Sequence, residues 1–230
     1  MELTYNPAAW FHIGPISIGQ TVVTTWAIVA VLAVGSTLAT RHLELMPGPL
    51  QTIVEGIVDA IRGAIASALP DHVDLVLPFV GTLWIFLVVA NLVGIIPGVS
   101  SPTADLSATA ALAVLTFFFV HWAGIRSVGL GRYFQHYLRP NPIMLPFEII
   151  SELSRTVTLA VRLFGNMMSL ELAALIVLGI AGIFVPIPLL LLHVVEALIQ
   201  AYIFGMLALV YVAGAIQTQR ERAVQKGPNI

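Results

Sequence analysis

The chain contains 230 residues, of which 58% are hydrophobic and only 10% are charged, and its formal net charge at pH 7 is −2. Soluble globular domains carry about 25% charged residues, so this composition excludes an ordinary water-soluble enzyme and indicates a protein covered by lipid. The small negative charge argues against a nucleic-acid partner, and the absence of cysteine excludes disulfides, thiolate metal sites and covalently attached haem.

Five apolar stretches are long enough to cross a bilayer, at residues 18–40, 73–96, 107–125, 147–184 and 189–217. Bilayer hydrocarbon offers no water to backbone groups, and these runs exceed the roughly 10 residues of a barrel strand. We therefore predict an all-α polytopic membrane protein that forms a single integral membrane domain over residues 1–230. Residues 1–17 contain no Lys or Arg, unlike a secretory signal, so we expect the first span to be retained.

Residues 50–69, between the first two spans, have the pattern of an amphipathic helix. Their apolar side chains recur at helical spacing: Leu50, Ile53, Ile57, Ile61 and Ile65. A helix lying on the membrane surface fits this pattern, and a connector packed on the other helices fits it equally well.

Basic residues orient the chain, because short cytoplasmic loops carry the excess of Lys and Arg. Eight of the ten fall in alternate connections: Arg41, Arg62, Arg126, Arg132, Arg139, Arg220, Arg222 and Lys226. This places residues 1–17 outside the cell and the C-terminus in the cytoplasm. The other two, Arg155 and Arg162, lie inside the fourth apolar segment.

A buried basic side chain costs about 2.5 to 3.5 kcal/mol at the centre of a membrane helix, so these arginines need a compensating role. The fourth segment carries one polar stripe at helical spacing: Glu148, Glu152, Arg155, Arg162, Asn166 and Ser169. Glu171 faces elsewhere, since nine residues rotate a helix by about 180° from Arg162. Arg155 could instead snorkel or pair with Glu152, and both glutamates could face headgroups.

The fifth segment carries a second polar stripe, formed by His193, Glu196 and Gln200. A turn at Pro186 to Pro188 makes the two segments an antiparallel hairpin over residues 147–217, with Arg162 between two groups of protonatable residues. Structural alternatives are a hydrogen-bonded cluster that only joins helices, or an Arg162 neutralised by a carboxylate.

The length of the fourth segment adds a constraint. Residues 147–184 would form a helix of about 57 Å, against a hydrocarbon thickness of about 30 Å. The helix must therefore be strongly tilted, broken or nearly horizontal. We expect the near-terminal His121 and Asp105 of the third segment to be interfacial. For Asn91 and Gln200 the structural alternative is an interhelical hydrogen bond.

These charged segments resemble subunit a of the F-type rotary ATP synthases. The strongest match is EIISELSRTVTLAVRLFGNM at residues 148–167, which resembles the family's signature around its essential arginine. IQAYIF at 199–204 is similar to the final-helix motif, and NLVGIIP at 91–97 and PTADLSAT at 102–109 add weaker support. Ser169 and Leu170 depart from the small residue and glycine that are common in the family before the ionisable position, here Glu171.

The resemblance implies an ion-conducting stator subunit, with Arg162 facing the carboxylate of a rotating c-ring and with peripheral-stalk b subunits as further partners. It implies an extracytoplasmic half-channel lined by Glu171, His193 and Glu196, and Asn166 and Gln200 near the arginine. Glu148, Glu152 and Arg155 would lie near the cytoplasmic half-channel. The ion would be a proton or a sodium ion, with no cofactor or metal in this chain.

Three other functions are compatible with parts of this pattern. They are a secondary transporter or channel that uses Arg162 to bind an anionic substrate, a haem carrier ligated by His121 and His193, and a structural scaffold. No phosphate-binding loop of the G-x-x-x-x-G-K-[ST] type occurs, so we expect ATP chemistry in partner subunits. The missing presequence and compact length suggest a bacterial inner membrane, with the thylakoid membrane as the alternative.

Overall fold

The computed structural model describes residues 9–13, 16–41, 43–44, 46–96, 99, 101–131, 133, 145–181 and 187–225. Its long helices are α1 (Gln20–Ala39), α2 (Pro49–Ala68), α3 (Val73–Val93), α4 (Leu106–Val128), α5 (Leu145–Ala181) and α6 (Ile187–Gln225). A short antiparallel pair of strands, β1 (Ala9–Ile13) and β2 (Ile16–Gly19), precedes them. Within the described residues, five helices are long and apolar enough to cross a membrane, which confirms the predicted helical membrane fold. The short strand pair before α1 was not predicted.

Several predicted features lie outside the described residues. They include most of the N-terminal segment, Arg132, Arg139 and Lys226, and residues 182–186 of the turn between α5 and α6. Pro188 is inside the first turn of α6, where a proline needs no helical N–H partner. The helix α6 also continues to Gln225, beyond the predicted end at residue 217.

Helices α3 and α6 form the centre of the bundle. Half of the apolar stretch of α6 is buried (50%), against 6% of that of α1. Trp84 of α3 donates a hydrogen bond from Nε1 to the Tyr202 carbonyl of α6 at 3.3 Å. Gly205 permits this approach, because a Cβ there would stand 1.8 Å from Trp84 Nε1. Any larger residue at position 205 would push α3 and α6 apart.

One apolar cluster joins α5 to α3, α4 and α6. Its buried α5 members are Leu159, Ala160, Leu163 and Met167. Its α6 members are Ala201, Phe204 and Ala208. The Asn166–Gln200 hydrogen bond of 2.8 Å also joins the two helices across this face. The last two segments therefore pack against each other, as predicted. Helix α5 is continuous from Leu145 to Ala181, so its length is not explained by a break within these residues.

The N-termini of α1 and α4 lie together at one end of the bundle. Thr21 of α1 donates a hydrogen bond to Asp105 at 2.8 Å, and Asp105 caps α4 by accepting from the Ser107 backbone N–H at 2.8 Å. We call this end, where α3 also finishes, the Asp105 end, and the opposite end, where α4 finishes and α5 begins, the Glu152 end. Asp105 is thus a helix cap rather than a merely interfacial carboxylate.

The hydrogen bonds at Asp105 affect its titration. Burial raises the pKa of this carboxyl, but hydrogen bonds from Ser107 and Thr21 outweigh burial, so its pKa is lowered overall. A lowered folded-state pKa means that the ionised cap stabilises the fold above the unfolded-state pKa. That stabilisation is lost as the pH falls through the folded-state value.

Helix α2 is packed against the bundle at one end and exposes its apolar side chains at the other. Ile65 is fully buried in the core, and Arg62 forms an ion pair with Asp74 at the start of α3. Leu50, Ile53 and Ile57 at the other end remain exposed. The last turns are therefore a packed connector, and the first turns carry an exposed apolar stripe.

Candidate functional site

Arg162 lies on the exposed face of α5, near its middle. Its neighbour Leu163 is fully buried, whereas Val157 and Val161 are 53% and 52% exposed. Among the described residues, none forms an ion pair with Arg162. This observation removes the alternative of a packing arginine neutralised by a carboxylate within the described part of the chain. Arg162 is instead exposed on a face of α5 that also carries exposed apolar side chains.

One helical turn from Arg162, Asn166 links α5 to α6. Its Nδ2 donates to Gln200 Oε1 at 2.8 Å. Gln200 is buried, and its Nε2 has no hydrogen-bond partner among the described residues. A buried amide donor without a partner costs about 1 to 3 kcal/mol, so it marks a place where water or another polar group would be stabilised. Asn166 is four residues from Arg162 on the same helix, and its hydrogen bond places Gln200 of α6 at the same level of the bundle.

A buried polar cluster lies at the Asp105 end, between α3 and α6. Asn91 Nδ2 donates to the Ala197 carbonyl at 3.0 Å, and Asn91 Oδ1 accepts from Thr103 Oγ1 at 2.7 Å. His193 Nε2 lies 3.3 Å from the Asn91 carbonyl. Asn91 is therefore an interhelical hydrogen-bonder, in line with the structural alternative. The contact between His193 and the Asn91 carbonyl joins α6 to α3, and helical spacing alone could not predict it.

The other two predicted carboxylates, Glu171 and Glu196, are half-buried on α5 and α6. Both lie on the Asp105 side of the Asn166–Gln200 pair, as His193 does, because α5 approaches that end as its residue numbers rise and α6 begins there. The residues predicted for one half-channel therefore fall on one side of Arg162.

A cavity of about 520 Å³ opens at the Glu152 end, between α4, α5 and α6. We call it the α4–α5–α6 cavity. The three residues predicted for the other half-channel, Glu148, Glu152 and Arg155, all line it. Its remaining polar lining comes from other elements: Thr116, His121, Tyr133 and Tyr211, with Thr156 on α5. Glu148, Glu152 and Arg155 therefore line one cavity between helices instead of being spread along a lipid-facing surface.

Two contacts within this cavity differ from expectation. Glu152 Oε2 lies 3.2 Å from His121 Nε2, so the partner of Glu152 in the described ion pairs is a histidine of α4 rather than Arg155. The Arg155 guanidinium lies over the Tyr211 ring, 5.8 Å from its centroid. His121, which we expected to be interfacial, is part of the site. The sequence indicated a role for His121 only in that it is a histidine within an apolar run.

A comparison with known protein families identifies the chain. The family model described as ATP synthase A chain matches residues 22–213, most of the sequence. The chain belongs to this family. The match covers most or all of each of the five apolar helices and both polar stripes, so it includes every residue predicted for the site.

Bacterial members of the family align over nearly their full length. The chain is 61% identical to ATP synthase subunit a 2 of Pelobacter propionicus, over 95% of this chain and 96% of that protein. It is 60% identical to ATP synthase subunit a 1 of Hahella chejuensis, over 94% and 92% of the two chains. For ATP synthase subunit a of Legionella pneumophila strain Paris the identity is 58%, over 90% of each. These relatives favour the ATP synthase role over a transporter, a haem carrier or a scaffold.

Proposed function

We propose that this chain is the ion-conducting stator subunit of an ATP synthase membrane sector, with Arg162 facing the ion-binding carboxylate of a c-ring. One observation carries the proposal. Arg162 is an exposed guanidinium within a membrane-spanning helix, and no carboxylate in the described part of the chain pairs with it. A charge in that position is costly unless a partner outside the chain neutralises it.

The chemistry of arginine suits this role. Its planar guanidinium keeps a delocalised positive charge and presents several N–H donors to a carboxylate. It would attract each ring carboxylate as that group releases its proton, and it would repel a proton that moved directly between the two access paths. Transport then requires the ring to rotate. The membrane potential supplies about 2.3 kcal/mol per charge per 100 mV.

Two separate access paths follow from the distribution of polar groups. On the Asp105 side of Arg162, Glu171, His193 and Glu196 would conduct between the extracytoplasmic face and the ring. On the Glu152 side, the α4–α5–α6 cavity, with Glu148, Glu152 and Arg155, would conduct between the ring and the cytoplasm. Tunable carboxylates and a histidine suit proton transfer, so we propose the proton rather than sodium as the ion.

The excess of basic residues supports an extracytoplasmic N-terminus and a cytoplasmic C-terminus, in the inner membrane of a bacterium. Helix α5 has 37 residues and α6 has 39, which gives lengths of about 55 Å and 58 Å. Because both exceed the hydrocarbon thickness of about 30 Å, we infer that they incline strongly against the ring. Peripheral-stalk b subunits would hold the chain fixed while the ring turns.

The complete ATP synthase containing this chain, reconstituted into liposomes, tests the function. We expect ATP to acidify the lumen in buffer without sodium, and a protonophore to abolish the gradient, because the proposed path carries protons. Lumenal pH and sodium content are measured in parallel. A strict requirement for sodium would contradict the proton assignment, and ATP hydrolysis without transport of either ion would contradict the ion-conducting role.

A further inference from the structure

We propose that His121 is a further proton-carrying residue of the α4–α5–α6 cavity, where it exchanges a proton with Glu152. The inference rests on the proposed function, since it adds a group to the cytoplasmic access path. It starts from the cross-helix contact of 3.2 Å between His121 Nε2 on α4 and Glu152 Oε2 on α5.

The second ring nitrogen fixes the tautomer of His121. Its Nδ1 lies 2.9 Å from the Phe117 carbonyl oxygen. A carbonyl oxygen can only accept a hydrogen bond, so Nδ1 carries a proton whether the ring is neutral or charged. Nε2 is therefore the nitrogen that gains and loses a proton. That nitrogen faces Glu152, so the titrating site of the histidine points at the carboxylate.

Two protonation states of this pair share one arrangement of heavy atoms. In the first, a protonated Nε2 donates to the Glu152 carboxylate. In the second, the proton is on Glu152 Oε2, which donates to the neutral Nε2. Exchange between them breaks one bond to hydrogen and forms another. From the first state the proton passes from Nε2 to Oε2, and Oε2 then releases it toward the ring carboxylate, which leaves a neutral Nε2 beside an ionised Glu152. A hydronium ion of the cavity water then gives its proton to Nε2, so the first state is restored and one proton has moved through the pair.

The position of the pair allows contact with water. The side chains of His121 and Glu152 are 25% and 26% exposed, so neither is sealed in the core and neither is fully in bulk solvent. Both line a cavity of about 520 Å³, which can hold several water molecules at about 30 Å³ each. A proton can therefore reach the pair through the cavity.

The ring of His121 is also held in place. The Phe117 ring lies 4.2 Å away and the Tyr133 ring 6.0 Å away, centroid to centroid. Tyr133 packs closely on Gly124, where a Cβ would stand 2.6 Å from its ring. Among the described residues, the other ionisable groups that line the cavity are Glu148 and Arg155 on α5, Tyr211 on α6 and Tyr133.

Replacing His121 by glutamine tests the inference, because glutamine can still donate to Glu152 but cannot carry a proton. The variant is studied in the complete ATP synthase, in inverted membrane vesicles whose outer medium faces the cytoplasmic side. The rate of ATP-driven acidification is measured against the pH of that medium. A carboxyl alone ordinarily takes up its proton about two pH units below an imidazole. We therefore expect the half-maximal pH to shift toward acid by about one unit or more.

At neutral pH the rate of ATP-driven acidification should fall on the order of tenfold. Removing a general base from an enzyme usually costs more, but here water still brings protons to Glu152. His72→Gln is the matched control: it makes the same substitution in the turn between α2 and α3, away from the cavity lining. Its rate and pH profile should match those of the wild type. The double variant H121Q/E152Q should pump no more slowly than the slower of the two single variants, since each single substitution already disrupts the His121–Glu152 pair.

An unchanged pH profile in H121Q would overturn the inference, and so would a lower rate without an acid shift, which a purely structural role would give. If H121Q complexes do not assemble, Glu152→Gln carries the test, because removing the anion from the pair should shift the profile in the same direction. An Arg162→Ala complex in the same vesicles distinguishes failure of the His121 inference from failure of the proposed function. If Arg162→Ala blocks pumping and H121Q has the wild-type pH profile, only the His121 inference is wrong. If Arg162→Ala still couples ATP hydrolysis to pumping, the proposed function is wrong.

Discussion

Arg162→Ala is expected to abolish ATP synthesis driven by a proton gradient while leaving the complex assembled. Losing about 3 kcal/mol of electrostatic stabilisation for a ring carboxylate would slow each step on the order of a hundredfold. The fold should tolerate the change, because Arg162 is exposed and has no ion pair among the described residues. ATP synthesis in energised inverted vesicles, with the amount of assembled complex measured in the same membranes, checks both parts.

Arg126→Ala provides the control for this variant. It removes another exposed arginine, in the last turn of α4, which does not line the α4–α5–α6 cavity. Synthesis in that variant should remain near the wild-type rate. Tightly coupled synthesis in Arg162→Ala would show that the guanidinium is not the barrier between the two access paths.

Replacing both Glu171 and His193 by glutamine should lower proton flux by tenfold or more, on the order expected when groups that transfer protons are removed. The helices should remain packed, since glutamine fills similar space, and at position 193 it can still donate to the Asn91 carbonyl that lies 3.3 Å from His193 Nε2. Flux is measured as ATP-driven acidification and as passive proton uptake by the membrane sector.

The matched control for the double variant carries the same two substitutions at Glu44 and His72. Glu44 is exposed and lies outside the candidate membrane spans, and His72 is half-buried in the three-residue helix that starts the Pro70–Val93 span, on α3's N-terminal side and away from the Asp105 end. This control should conduct at the wild-type rate. Normal flux in the Glu171 and His193 variant would leave these residues outside the extracytoplasmic path.

The sequence was most informative where lipid dictates the structure. An apolar helix must be about 20 residues long to cross hydrocarbon, so hydropathy located α1, α3 and α4 to within a few residues. The end of α6 was missed because hydropathy stops at residue 217, whereas the polar residues that follow are good helix formers and continue the helix to Gln225.

The contacts between helices could not be predicted in the same way. Helical spacing assigns residues to a face of one helix, but it does not say which faces meet. His121 therefore looked interfacial, although it contacts Glu152 on another helix, and the bonds of Asn91 to Thr103 and Ala197 had no local signal. The exposure of Arg162 also depends on which side of α5 packs against the bundle, and that is a property of the whole fold.

The central claim is that aqueous paths from opposite faces of the membrane end on either side of Arg162. Because the chain contains no cysteine, a single cysteine introduced at Glu152 or at Glu196 is the only thiol of this chain, and labelling is read on the isolated chain. Labelling by a membrane-impermeant thiol reagent, applied to right-side-out or inverted vesicles, measures access directly. We predict that Glu152→Cys reacts only from the cytoplasmic face and Glu196→Cys only from the extracytoplasmic face. Reaction of both cysteines from the same face would contradict the account.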